Sequence, residues 1–335
     1  MKALKIRQPF GLEHIETVNL PDPGQPKANE IRVKIYASSM NYHDLAVILG
    51  MMKSEDGRIP LSDGAGIVEA IGEGVTEFKV GDHVVSTFFP TWQNGDATLG
   101  DFRTTPGDGV DGYAVEYVVR PTKAFTLAPK DYTHAEAATL TTAGLTAWRA
   151  LVVNGHLKAG DTVLVLGTGG VSIFALQLAK AMGAMVIATS SSDEKLEQVK
   201  KLGADFTINY KKSPDWAAKV LEYTHGRGVD HTIEVGGAST LAQSIQATRI
   251  GGHIALIGVL AGVQGEVPTR MLMGKQQRLQ GLVVGSRQHQ IDLVNALNVL
   301  RIKPIIQHSF PMTELKQACE LQMAGAHFGK ISLVI

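Results

Sequence analysis

A glycine-rich hexapeptide, Gly167-Thr168-Gly169-Gly170-Val171-Ser172, lies between the apolar run TVLVL and the segment IFALQLAK. A strand, a glycine turn and a helix in this order can bind a diphosphate, because the first N–H groups and the positive dipole end of the helix meet the anion. Gly167 permits the tight turn, and Gly169 lets a phosphate approach the backbone, although the third glycine position of such motifs is Ser172. The pattern predicts a dinucleotide site with contacts from Gly167, Thr168, Gly169, Gly170 and Val171. A plain turn of an α/β sheet is the alternative.

The segment VIATSSSDEK follows that helix, where such units end their second strand with an acid that binds the adenosine ribose. Ser190, Ser191 and Ser192 stand there instead. An acid would repel a 2′-phosphate, whereas hydroxyls donate to phosphate oxygens, and Lys195 adds a positive charge. Tyr210, which ends the next strand in TINYKK, offers another hydroxyl. We therefore expect NADP(H) rather than NAD(H). The alternative is that TSSSDEK only caps the following helix, through Ser191 or Ser192, and the two interpretations are compatible.

Two kinds of sequence must position these residues. Up to about residue 125, short apolar runs such as EIRVKIYASS and GDHVVSTFF alternate with Gly, Asp and Pro, which indicates an antiparallel, barrel-like region. From about residue 133, helical and strand patterns alternate, which predicts a parallel sheet with helices on both faces. Thr133 and Glu136 have the spacing of a capping box at the start of the first helix.

Composition narrows the class of protein. The 335 residues carry 32 basic and 32 acidic side chains, a balance that does not favour a nucleic-acid partner. The single cysteine, Cys319, excludes an internal disulfide and a multi-thiolate metal site. We find no signal-peptide pattern and no continuous run of ~20 apolar residues in one helix. We expect a soluble, cytoplasmic protein without a membrane partner.

The motifs NYHD, DGAGIV, AATLTTAGLTAW, GTGGVS, GADFTINY, EVGG and HFGK follow one another along nearly the whole chain. In their order and spacing the sequence resembles the medium-chain dehydrogenase/reductase superfamily, and within it the zinc-type alcohol dehydrogenase-like and quinone oxidoreductase group. The resemblance implies an α/β protein with a GroES-like, β-rich barrel catalytic domain (residues 1–125 and 287–335). The remainder, residues 126–286, would be a Rossmann domain, a doubly wound parallel sheet that binds NADP(H). It also implies a homodimer, in which the strand LQGLVVGS (279–286) extends the sheet of a second copy.

Zinc-dependent members of that superfamily hold a catalytic metal with a Cys, a His followed by Glu, and a second Cys. The corresponding positions here are Asn41, Ser62 followed by Asp63, and Thr142. None of these side chains is a thiolate or an imidazole, the ligands that zinc prefers. The resemblance therefore implies the zinc-independent branch, with no metal site.

Zinc-independent relatives reduce acceptors activated by conjugation, such as quinones, α,β-unsaturated ketones and aldehydes. These accept hydride at carbon and hold the charge as an enolate or hydroquinone anion, which the protein orients and stabilises. The resemblance implies a small enone, quinone or carbonyl substrate. Two alternatives stay open, namely an NADP-dependent alcohol dehydrogenase or aldehyde reductase, and a cofactor-binding protein with little turnover.

The resemblance also implies further contacts to the cofactor. Asn41 would meet the nicotinamide ribose and Thr146 the nicotinamide half, while Lys330 would meet a phosphate. Gly258 would lie beside the nicotinamide, with the loop of Gly285, Ser286 and Arg287 behind it.

Candidates for proton delivery are Tyr42, His43, Asp63 and Tyr113, with solvent water as the alternative. A histidine suits this task because imidazole exchanges protons near neutral pH. Asp63 could instead support groups beneath the cofactor. The long loop from Phe88 to Gly112 begins with aromatic residues, and we expect Phe88, Phe89 and Trp92 either to wall an apolar substrate pocket or to pack locally.

Overall fold

The computed structural model describes residues 1–335 and divides them into two compact units. Unit 1 comprises Met1–Leu145 and Val284–Ile335, and unit 2 comprises Thr146–Val283. The strands are β1 (Lys2–Ile6), β2 (Ile15–Asn19), β3 (Glu30–Ser39), β4 (Ala65–Ile71), β5 (His83–Ser86), β6 (Tyr117–Pro121), β7 (Phe125–Leu127), β8 (Thr162–Leu166), β9 (Met185–Ser190), β10 (Phe206–Asn209), β11 (Val229–Glu234), β12 (Thr248–Leu256), β13 (Arg278–Gly281), β14 (Ile306–Pro311) and β15 (Lys330–Val334).

The α-helices are α1 (Tyr42–Ile48), α2 (His134–Ala138), α3 (Leu145–Trp148), α4 (Gly170–Ala181), α5 (Asp193–Lys201), α6 (Trp216–Tyr223), α7 (Ala238–Ala247), α8 (Thr269–Gly274), α9 (Arg287–Leu300) and α10 (Leu315–Met323). Short 3₁₀ turns cover Leu12–His14, Thr122–Ala124 and Met312–Glu314, and π-helical turns cover Leu140–Gly144 and Arg149–Val153. None of the helices combines the length and the apolar character that a membrane crossing requires.

Unit 1 is built on a seven-stranded sheet centred on β3. One edge of β3 pairs with β4, while its other edge pairs first with β6 and then, at Ala37–Ser39, with β15. The β3 side chains alternate between buried and half-buried, as the predicted antiparallel strand requires. Ile31, Val33 and Ile35 thereby enter the hydrophobic core of this unit. The antiparallel strands predicted for this part of the chain are confirmed.

Unit 2 contains a six-stranded sheet in the order β10-β9-β8-β11-β12-β13, and every pair is parallel. Numbered from β8, this is the 3-2-1-4-5-6 order of dinucleotide-binding sheets. All of β8 is buried, as expected for a strand covered by helices on both faces. The strand order reverses between β8 and β11, and ligands bind outside the carboxyl ends of the strands at such a point.

Three details differ from the sequence predictions. The first unit boundary lies at Leu145 and not at residue 125, because α2 packs against β3, β4 and β5 of unit 1. The predicted strand over 279–286 ends at Gly281, and Val284 adopts a positive φ of 44° that breaks an extended path. The helix that begins after the Thr133 cap is interrupted by two π-helical turns, although the capping box itself is confirmed.

Candidate active site

The glycine loop of unit 2 has the shape that a diphosphate needs. Gly167 takes a φ of 75°, a left-handed conformation that side-chain-bearing residues rarely adopt, and Gly169 is the N-cap of α4. A Cβ atom at either glycine would meet no other atom within 4 Å, so space lies open beside the backbone. Ser172, at the third glycine position, fits because its hydroxyl donates to the carbonyl of Leu166 at 2.6 Å. The strand, turn and helix predicted here are confirmed, and these residues fit a dinucleotide.

The serine segment lies at the carboxyl end of β9, at the same edge of the parallel sheet as the glycine loop that follows β8. Ser190 is 3% exposed, and its Oγ accepts a hydrogen bond from the Ser192 N–H at 3.3 Å. The backbone N–H of Tyr210 donates to the Ser190 carbonyl at 3.0 Å, which places this tyrosine, 41% exposed, beside the serines. The grouping of Tyr210 with the end of β9 is thus as predicted, while its contact with adenosine stays a prediction.

Helix capping accounts for part of the same segment. Ser192 is the N-cap of α5, and its Oγ accepts from the Lys195 N–H at 3.3 Å and donates to Glu194 at 2.5 Å. Two acids, Asp193 and Glu194, follow this cap in the first turn of α5. The carboxylate of Asp193 forms an ion pair with Lys212, which balances its charge. Burial lowers the pKa of the half-buried Lys195 ammonium. The cap predicted as the alternative is therefore confirmed at Ser192, and recognition of a 2′-phosphate stays a prediction.

A buried polar network in unit 1 surrounds Asn41, the N-cap of α1. The Asn41 amide donates to Asp63 at 2.8 Å and to Asp44 at 3.0 Å, while its oxygen accepts from the Lys330 ammonium at 2.6 Å. The same ammonium donates to the Met40 carbonyl at 2.5 Å and lies 3.7 Å from the Asp63 carboxylate. All the polar atoms of the Asn41 side chain are therefore committed within this network.

Hydroxyl groups complete the network around the two acids. Asp63, fully buried, accepts from Ser39 at 2.5 Å and from Thr142 at 2.7 Å. Asp44 accepts from the backbone N–H and the hydroxyl of Ser62 at 2.8 and 2.9 Å. These contacts agree with the predicted supporting role of Asp63, because a carboxyl held by three side chains inside the protein positions its neighbours.

In this network the charges of Lys330 and Asp63 each offset the effect of burial on the pKa of the other group. Burial raises the pKa of Asp63, and the nearby Lys330 ammonium opposes that shift. Burial also lowers the pKa of Lys330, and Asp63 and Asp44 oppose that shift. Lys330 is 4% exposed, so its first role in this structure is that of counter-ion, and its expected contact with a cofactor phosphate stays a prediction.

The same residues do not fit a zinc ion. At the positions that the resemblance assigned to metal ligands stand an amide (Asn41), a serine followed by a carboxylate (Asp63) and a threonine hydroxyl (Thr142). The ammonium of Lys330, 3.7 Å from that carboxylate, would repel a divalent cation. Zinc prefers thiolate and imidazole ligands, and this donor set supplies neither.

His43, in the first turn of α1, is paired with a residue that the sequence analysis did not identify. Its Nε2 lies 3.1 Å from a carboxylate oxygen of Asp108, and the ring packs against Phe88 and Phe102 at centroid distances of 5.3 and 5.0 Å. Asp108 was missed because PGDGVDG reads as an ordinary turn. Contact with a histidine 65 positions away leaves no local signal.

The two tyrosine candidates differ in exposure. Tyr42 is the first residue of α1 and is 47% exposed. Tyr113 is fully buried in the core of unit 1, where burial raises its pKa to about 12. The Tyr113 hydroxyl lies inside this core without a hydrogen-bond partner, and proton delivery by Tyr113 stays a prediction.

The aromatic residues of the 88–112 loop are also buried. Phe88, Phe89 and Trp92 are 1%, 4% and 4% exposed, and Phe102 joins Phe88 and Phe89 with ring centroids 6.2 Å from each. Local packing, the alternative left open in the sequence analysis, therefore describes Phe88, Phe89 and Trp92. Of these rings, Phe88 and Phe102 contact the His43 ring.

The remaining predicted cofactor residues are divided between the two units. Thr146 is buried in unit 2, and Gly258 has no room for a side chain because a Cβ would lie 2.6 Å from the Val235 carbonyl. Ser286 belongs to unit 1, where it is the N-cap of α9 directly after Gly285. Arg287 binds the Phe125 carbonyl and Glu77. Contacts of Thr146, Gly258, Gly285 and Ser286 with cofactor stay predictions.

Comparison with known proteins matches both units. The model of the alcohol dehydrogenase GroES-like domain matches residues 27–130, and that of the zinc-binding dehydrogenase matches residues 170–299. The chain is 42% identical over 336 residues to the zinc-type alcohol dehydrogenase-like protein C1773.06c of Schizosaccharomyces pombe, covering 97% of this chain and 96% of that protein.

Two solved structures that resemble this chain differ in the cofactor that their names give. An NAD-dependent alcohol dehydrogenase is 33% identical with a TM-score of 0.90, covering 100% of both chains. The crotonyl-CoA carboxylase/reductase AntE, solved in complex with NADP, is 25% identical with a TM-score of 0.87, covering 100% of this chain and 94% of that one.

Proposed function

Because this chain belongs to the medium-chain dehydrogenase/reductase superfamily of oxidoreductases, we propose that it reduces activated C=C bonds or quinones with NADPH and without zinc. The observation that carries this proposal is the network of Asn41, Asp63, Thr142 and Lys330, which lacks thiolate and imidazole ligands and contains a buried ammonium. Without a metal, nothing here would acidify a neutral alcohol for oxidation.

An activated acceptor needs less help from the protein. When bound, NADPH supplies the hydride, and a conjugated acceptor stores the resulting charge on oxygen. The protein then has to orient the acceptor, exclude competing reactions and deliver one proton. Asn41 would be a rigid positioning group, because its side chain is fixed by Asp44, Asp63 and Lys330.

The preference for NADPH over NADH is proposed from the end of β9. Ser190, Ser191, Lys195 and Tyr210 supply hydroxyls and a cation where an acid would favour NAD(H). The NADP-bound relative supports this assignment, while the NAD-dependent one makes the test necessary.

A fluorescence titration with NADPH and NADH tests the cofactor. We expect NADPH to bind at least ~10-fold more tightly, equivalent to about 1.4 kcal/mol. Lys195→Met should reduce that ratio. Lys200→Met is the matched control, because Lys200 lies on the same helix, exposed and paired with Glu197. Equal affinities for the two cofactors would refute the assignment of the serine segment, and binding of neither would refute the oxidoreductase proposal.

The names of two relatives refer to alcohol dehydrogenases. They favour as a second candidate the alternative kept open from the sequence, an NADP-dependent alcohol dehydrogenase or aldehyde reductase. A panel of enones, quinones, aldehydes and alcohols separates the two candidates. Turnover of simple alcohols at rates equal to enone reduction, retained in the presence of a zinc chelator, would contradict the preference for activated acceptors.

A further inference from the structure

The strongest unexplained feature of unit 1 is the pairing of His43 with Asp108. Both side chains are largely buried, at 13% and 7% exposure, and their atoms approach to 3.1 Å. The carboxylate of Asp108 is an acceptor, so the proton of a neutral imidazole lies on Nε2. The opposite nitrogen, Nδ1, is buried and has no hydrogen-bond partner. A buried polar atom without a partner is costly and needs an explanation, and a catalytic role is one of the recognised explanations.

Asp108 is held in place by its neighbours. Its backbone carbonyl accepts from the Ser54 hydroxyl at 3.2 Å. A Cβ at Gly107 would lie 2.8 Å from the backbone of Leu61, and one at Gly109 would lie 2.3 Å from the backbone of Arg103. Two close backbone approaches therefore flank the acid and restrict the backbone that carries it.

A cavity adjoins this pair within unit 1. Its volume is about 470 Å³, and Met52, Lys53, Ser54, Phe102, Arg103 and Asp108 are among the residues that line it. Two of these, Phe102 and Asp108, contact His43 directly. The cavity thus adjoins Phe102 and Asp108, whereas His43 lies behind them and is not among its lining residues.

We propose that His43 is the catalytic acid of this protein and that Asp108 is its positioning residue, an inference that rests on the proposed reduction of activated acceptors. Asp108 holds Nε2–H and stabilises the imidazolium, which leaves Nδ1–H to face the acceptor. Arrival of hydride at the β-carbon of an enone moves the C=C electron pair towards the carbonyl and gives an enolate. The Nδ1–H bond then breaks, its electrons remain on nitrogen, and the proton bonds to the α-carbon. Solvent later returns a proton to the neutral imidazole.

The test compares the wild type with His43→Gln and Asp108→Asn in the full chain with NADPH and an α-methyl enone. We expect kcat to fall about 100-fold in His43→Gln, the lower range of general acid catalysis. In Asp108→Asn we expect about a 10-fold fall in kcat with KM unchanged, because the imidazole ring loses the carboxylate that orients it. Asp111→Asn is the matched control, since Asp111 lies in the same loop and binds Arg58 and the Ile59 N–H.

A further readout separates catalysis from folding. The configuration at the product α-carbon should be single in the wild type and mixed in His43→Gln, because solvent can protonate a free enolate from either face.

The outcomes distinguish this inference from the proposed function. Failure of the wild type to reduce any enone or quinone refutes both. Normal reduction with unchanged kcat and product stereochemistry in His43→Gln overturns only the assignment of His43 as the catalytic acid. Equal effects of Asp108→Asn and Asp111→Asn on kcat overturn the positioning role of Asp108.

Discussion

Removal of the buried Lys330 ammonium should destabilise unit 1 strongly. Lys330→Met preserves the length of the side chain but deletes the donors to Met40 and Asn41 and the charge 3.7 Å from Asp63. Loss of one partner of a buried ion pair typically costs 3–5 kcal/mol, because the other charge remains buried, and we expect a cost of about 4 kcal/mol. The residual acids, Asp44 and Asp63, would then share one amide without a cation.

The assay is urea unfolding, followed by circular dichroism and by fluorescence, of Lys330→Met, Asp63→Asn and the double variant. Because Asp63→Asn removes the charge that the lysine compensates, the double variant should be more stable than the sum of the single costs predicts, by about 2 kcal/mol. Lys316→Met is the control, since Lys316 pairs with Glu13 at the surface and its loss should leave the midpoint unchanged. Additive costs, or a cost of Lys330→Met below about 1 kcal/mol, would refute the compensation described here.

Two further predictions concern unit 2. His253 is 1% exposed, neither ring nitrogen has a hydrogen-bond partner, and burial lowers its pKa from 6.5 to about 4. Between these two pKa values the imidazole is protonated in the unfolded chain but neutral in the folded chain. The free energy of unfolding is therefore highest above pH 6.5 and falls by roughly 3 kcal/mol as the pH drops to 4. His253→Leu should lack this loss in urea titrations across that range, and an equal pH dependence in both proteins would contradict it. The outer edge of β13 pairs with no further strand of the sheet, which supports the expected homodimer, and sedimentation showing only monomer at micromolar concentration would remove that expectation.

Features that depend on interactions between residues close in sequence could be predicted from the sequence. The turn at Gly167 depends on the conformational freedom of one residue, and the caps at Thr133 and Ser192 depend on side chains reaching N–H groups three residues away. The alternation of helix and strand patterns after residue 133 similarly predicted the parallel sheet, because burial on both faces leaves continuous apolar runs.

The exact extent of elements was harder to predict. The apolar run after Gly281 looks like a continued strand, but the positive φ of Val284 ends the extended path. Tyr113 and the aromatic residues Phe88 and Phe89 looked available for chemistry, and only the packed core shows that they are buried. Side-chain type indicates what a residue can do, whereas burial decides whether a ligand can reach it.

The sequence alone determined the fold class, the glycine loop and the lack of zinc-type ligands at Asn41, Ser62, Asp63 and Thr142, since these follow from residue identity and short spacing. Tertiary structure decided which polar groups act together. Lys330 reaches Asn41 from 289 positions along the chain, and Asp108 reaches His43 from 65. Such contacts form because a buried charge must find a partner wherever the fold brings one within reach, and that requirement leaves no periodic trace in the sequence.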